Sequence, residues 1–97
     1  MMYVKIHTEG DETIVAACDE DIIGKTFRDG VRRITVHEEF YRGDSVPEEA
    51  FVERLAFATI INLTGNGVVD IAIREGYVSP EAVLEIGGVK HAQAVRM

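Results

Sequence analysis

Cysteine is almost absent from this chain: Cys18 is the only one among 97 residues. A single thiol cannot form an internal disulfide or build a zinc site alone, so a reducing interior is the natural compartment and a cytoplasmic location is expected. Long apolar runs are missing too. The longest, near 56–63, is broken by Thr59 and Asn62 and falls far short of the ~20 residues of a membrane span, so no membrane partner is expected. The N-terminus has neither a basic opening nor an apolar stretch, and no signal peptide is expected. Positive charge is scarce: 10 Lys and Arg face 17 Asp and Glu, for a net charge of -7. That balance argues against a general coat for duplex DNA, because such proteins are basic enough to displace counterions from phosphates.

The scarcity is uneven. Lys25, Arg28, Arg32 and Arg33 lie together with only Asp29 opposing them, and after Glu85 no acid remains while Lys90, His91 and Arg96 follow. The acids gather elsewhere, at 9–12, 19–21 and 38–53. With 46% hydrophobic residues the chain has material for one core, and its length fits one domain, 1–97. Such a domain buries roughly 60–70% of the surface it exposes when unfolded, without help from metal or disulfide.

Met2–Thr8 alternates with period two, placing Tyr3, Lys5 and His7 on one side and Met2, Val4 and Ile6 on the other. Glu9-Gly10-Asp11 is a turn signal, and Thr13–Cys18 is rich in Ile, Val and Ala, so a hairpin is predicted. Asp19 fits as the cap of a single turn to Ile23. Arg32–Val36 reads as a third strand, and Phe40 and Tyr41 as anchors of a turn over the core. Ser45-Val46-Pro47-Glu48 has the form of a capping box and predicts a central helix running to about Thr64, stopped by Gly65. Its apolar residues, from Phe51 to Leu63, would cover most of its circumference. A second helix is expected over 67–75, capped by Asn66 or Thr64, then a single turn at Ser79-Pro80-Glu81. Strands at 83–86 and 89–95 flank the tight turn Gly87-Gly88. The predicted fold class is therefore α+β: a mainly antiparallel sheet of about five strands, with a buried central helix and a second helix on one face.

Several segments resemble chemical motifs and fail on physical grounds. Ile23-Gly24-Lys25-Thr26 looks like the end of a P-loop, but the early glycine position holds Asp19, whose carboxylate would repel phosphates. Gly65-Asn66-Gly67 begins a dinucleotide fingerprint whose third glycine is Asp70; what survives is a glycine-flanked helix N-terminus, a weak candidate for anion binding. His7, His37 and His91 show no metal-ligand spacing, and the 19–21 run lacks the glycine and distant glutamate of a calcium loop. No cofactor or metal is expected. The segment Gly87–Met97 is the most suggestive, because in a strand His91 and Gln93 point together beside a glycine pair that permits close approach.

Five segments together resemble a known family. They are Met2-Tyr3-Val4-Lys5-Ile6-His7, Val15-Ala16-Ala17-Cys18-Asp19-Glu20, Gly24-Lys25-Thr26-Phe27-Arg28, Ala58-Thr59-Ile60-Ile61-Asn62-Leu63-Thr64-Gly65 and Gly87-Gly88-Val89-Lys90-His91-Ala92-Gln93-Ala94-Val95-Arg96-Met97. The chain resembles, over essentially its whole length, the archaeal family known as domain of unknown function 424. The resemblance implies an archaeal cytoplasmic protein without assigned catalytic residues, associated with genes of translation and ribosome maturation. The features that would match are Gly24, Lys25, Thr26, Arg28, Asn62, Gly65, Gly87, Gly88, His91, Gln93 and Arg96.

The functional expectation is a non-enzymatic module binding RNA or a ribonucleoprotein. Lys25, Arg28, Arg32 and Arg33 would touch phosphates, while Lys90, His91, Gln93 and Arg96 would supply the second contact region. Two alternatives stand beside it: a protein-interaction subunit or homodimer joined through an edge strand, and a small enzyme with a site assembled from His91 and Cys18.

Overall fold

The computed structural model describes residues 1–96; the final residue of the C-terminal segment, Met97, lies outside them. Strand β1 (Met2–Glu9) and strand β2 (Glu12–Asp19) form the expected hairpin, in register from Met2↔Asp19 to Glu9↔Glu12. Residues 15–18 are buried on both faces of β2 because that strand lies inside the sheet. Two further strands, β3 (Thr26–Asp29) and β4 (Arg32–Thr35), pair only with each other as a separate two-stranded sheet. Helix α1 (Glu38–Tyr41) and strand β5 (Asp44–Val46) follow, and β5 pairs with β1.

The largest departure from the expected architecture comes next. Helix α2 (Glu48–Leu55) stops after 8 residues, and strand β6 (Ile60–Thr64) takes the place of the helix's predicted second half. Phe51 and Leu55 form the buried stripe of α2, while Ile61 and Leu63 belong to a strand. An apolar run this short is compatible with either state, and here the β-branched Thr59-Ile60-Ile61 pairs with a partner strand. Thr59 fixes the change of state. Its N–H donates to the Thr13 carbonyl at 2.9 Å, and its hydroxyl accepts the Thr13 N–H at 2.8 Å and donates to Glu12 Oε2 at 2.8 Å. Ser45 does not cap α2 either: it lies in β5 with its hydroxyl on Glu20, and Pro47 is the capping position.

Helix α3 (Asn66–Arg74), strand β7 (Leu84–Ile86) and strand β8 (Val89–Val95) complete the chain close to their expected positions. The main sheet has six strands in the order β5-β1-β2-β6-β8-β7. It is mixed: β2 and β6 run parallel and the remaining neighbours antiparallel. The parallel pair requires a crossover, and residues 20–59 supply it. Among the described residues the fold is thus a mixed α/β arrangement with three α-helices, a six-stranded sheet and a two-stranded one.

The main sheet is covered unequally. On one face Val15, Ala17, Ile61, Leu63 and Ala92 pack with Phe51, Leu55, Val68, Val69 and Ala72 from α2 and α3. On the other, Ala16 and Cys18 meet Val36 and Tyr41, with Phe27 and Phe40 alongside. This second cover reaches only part of the sheet and leaves Gln93 and Val95 of β8 exposed.

Candidate functional site

The β3–β4 hairpin is built by alternation. Phe27 and Ile34 are register partners, and Phe27 packs into the smaller core, so the neighbouring pairs point the other way. Those pairs are Arg28↔Arg33 and Thr26↔Thr35, the two threonine hydroxyls lying 2.8 Å apart. Two guanidinium groups therefore sit directly opposite each other on an exposed strand pair, an arrangement that is destabilising in isolation. The hairpin is seated on the β7–β8 turn. Gly87, at φ 59°, lets the Arg28 backbone come so close that a Cβ there would lie 2.7 Å from the Arg28 carbonyl oxygen.

The partners of the 10 Lys and Arg residues sort them sharply. Arg42, Arg54, Arg74 and Lys90 form ion pairs with Glu38, Asp44, Glu48 and Asp70 respectively, Arg74 also reaching Glu75. Lys5 and Arg96 donate to backbone carbonyls. Lys25, Arg28, Arg32 and Arg33 have no such partner among the described residues, and all four are exposed on or beside one hairpin.

A polar row runs across the half-covered sheet face beside it. Cross-strand register aligns Cys18, Thr64, His91 and Leu84 in one row and Ala16, Asn62 and Gln93 in the next. Tyr41 Oη donates to Asn62 Oδ1 at 2.5 Å, and Tyr41 Oη and Thr64 Oγ1 are 2.9 Å apart. Thr64 Oγ1 lies 2.9 Å from His91 Nδ1, and Gln93 Nε2 lies 3.2 Å from His91 Nε2. With the Asn62 and Gln93 amides oriented as they stand, the Tyr41 proton goes to Asn62, so Thr64 donates to Tyr41, His91 Nδ1–H to Thr64, and Gln93 to the bare His91 Nε2. His91 is thus the neutral Nδ1–H tautomer, consistent with burial pushing its pKa below 6.5 against a smaller opposing effect from the Leu63 backbone. Ala82, Leu84, His91, Ala92 and Gln93 line a groove of about 280 Å³ at the end of this row. As a site residue Asn62 is signalled in the sequence only by the family resemblance, and Tyr41 and Thr64 by nothing. The period-two spacing of Asn62 and Thr64 marks the row once the stretch is a strand.

The other expected site residues are separated from this surface. Lys90 points to the opposite face, where its ammonium meets Asp70 Oδ1 at 2.7 Å. Arg96 donates to the Leu55 carbonyl at 3.0 Å and stacks over the Tyr77 ring at 4.7 Å, so it closes the C-terminus of α2. Gly65-Asn66-Gly67 is not an open anion site, because the chain fills it with its own carboxylate. Asp19 Oδ2 and Oδ1 accept the Gly67 and Val68 N–H groups at 2.9 and 3.0 Å. Asn66 is equally occupied: its side chain holds the β7–β8 turn through the Gly88 carbonyl at 3.2 Å and the Lys90 N–H at 2.9 Å. The Cys18–His91 pairing does not form either. Thr64 stands between them in the register, Cys18 is 0% exposed, and burial together with nearby Asp19 pushes its thiol up to about 12.

The comparison with curated proteins gave no match. One solved structure, described as the crystal structure of an uncharacterized conserved protein from Methanopyrus kandleri, is similar over 99% of this chain and 93% of that one, with a TM-score of 0.81 at 25% sequence identity. A family model described as "Protein of unknown function (DUF424)" matches residues 7–97, and the chain belongs to that family.

Proposed function

We propose that the protein docks onto RNA, alone or within a ribonucleoprotein, through the β3–β4 hairpin, and that it acts as a binding module and not as a catalyst. The carrying observation is that the four cations without a partner, Lys25, Arg28, Arg32 and Arg33, share one hairpin on a molecule of net charge -7. A polyanion approaching such a molecule is favoured at that hairpin over the acidic remainder, so the charge distribution orients the encounter. Phosphates placed between Arg28 and Arg33 would also relieve their mutual repulsion. Translation is the setting that the family resemblance suggests, and a ribosomal or ribosome-maturation RNA fits the same chemistry.

Four phosphate contacts correspond to a slope of about -3 in a plot of log affinity against log salt. Fluorescence anisotropy of labelled RNA should give that slope for the wild type. The Arg28→Ala/Arg33→Ala variant should bind more weakly, with a slope shallower by about 1.5. Binding that ignores salt, or that survives the double substitution unchanged, would overturn the reading. A homodimer joined edge to edge has less support, since both edge strands of the main sheet are only 3 residues long.

A further inference from the structure

The groove along β7 and β8 offers a different chemistry from the hairpin. We propose that it receives one unstacked nucleobase of the RNA held by the hairpin; this deepens the RNA-docking reading and rests on it. At about 280 Å³ the groove lies just below the range of pockets for drug-sized ligands, which suits a single flat ring system. Leu84, 48% exposed, and Ala82 supply an apolar wall, and the His91 ring supplies a flat one.

Hydrogen-bond accounting gives the polar side. Gln93 commits one N–H to His91 and keeps its carbonyl oxygen and a second N–H. Its side-chain amide therefore presents an acceptor beside a donor at the groove wall, the pattern that matches the edge of a base. His91 is neutral, so the groove carries no charge to recruit a phosphate or a carboxylate. Phosphates are left to the β3–β4 hairpin, which adjoins the same β7–β8 unit as the groove: the Arg28 backbone rests on Gly87 of the turn, and Leu84 lies three residues back along the chain. Base edges are free only where the strand is unpaired, so the groove makes the protein prefer single-stranded RNA.

The test uses labelled oligouridylate and oligoadenylate of about eight nucleotides and a duplex of equal length. Wild-type protein should bind the single strands more tightly than the duplex. Gln93→Ala and Leu84→Ala, both at exposed positions, should weaken single-strand binding about tenfold, leaving duplex binding and the salt slope unchanged. Arg28→Ala/Arg33→Ala should weaken both forms and flatten the slope. Adenosine and uridine, which carry no phosphate, should shift the His91 ring resonances equally in the wild type and in the hairpin variant. Groove variants that bind oligonucleotide like the wild type, while the hairpin variant does not, would overturn this inference and leave the docking reading standing. Failure of the wild type to bind any of these RNAs would remove both.

Discussion

Asp19, the last residue of β2, performs for α3 the service usually given by a residue next to the helix. Its two oxygens accept the first free N–H groups of a helix that begins 47 residues later, at Asn66. Gly65 and Gly67 make the approach possible: a Cβ on either would lie 2.7 Å from the Asp19 carboxylate, and Gly65 also sits at φ 128°. Asp19→Ala should cost about 1–2 kcal/mol in chemical denaturation. Gly65→Ala, which adds strain to collision, should cost about 3 kcal/mol, against about 1 kcal/mol for Gly76→Ala, where φ is also positive but the space is open. His91 couples stability to pH. Its folded pKa lies below 6.5 because burial disfavours the charged ring, so its contribution to stability is complete above that value and is lost as pH falls through the lower folded one. Protonation would also set an N–H against the Gln93 N–H. Between about pH 7 and about pH 5 the thermal midpoint should fall in the wild type and fall less in His91→Asn, whose amide can replace Nδ1–H.

Elements were legible where local pattern and tertiary outcome agree. The β1–β2 hairpin, α3 and the β7–β8 hairpin all follow from alternation, helical periodicity and glycine turns, each short in sequence. The stretch 56–63 was not, because Ala, Phe, Ile and Leu there satisfy a helix and a central strand equally well. What decides is a partner strand more than 40 residues away, reached through Thr59 and Thr13. The hairpin's cations were visible as a cluster, but the isolation of that cluster was not, since the carboxylates that neutralise Lys90, Arg54 and Arg74 come from distant elements. Two substitutions separate scaffold from surface. Gly87→Ala should push the β3–β4 hairpin off its seat and weaken RNA binding without changing the number of phosphate contacts, which anisotropy against salt would read. Arg96→Ala should lower stability by about 1–2 kcal/mol, through the loss of the α2 closure and the Tyr77 stack, and leave RNA binding unaltered.

At the scale of the whole molecule, the two faces of the main sheet have different duties. The helical face holds the larger core, whereas the other carries a partial cover and the polar row. Cys18 lies beneath that cover, and its labelling rate at about pH 8 by a thiol reagent should follow global unfolding, because the buried thiol is both enclosed and protonated. The carboxylate lodged in the mouth of α3 has a further consequence. A helix N-terminus is a ready backbone trap for oxyanions, and this protein has plugged that of α3 from within. A wandering phosphate accordingly finds that door closed, and fidelity of landing owes something to the closure as well as to the arginines of the hairpin.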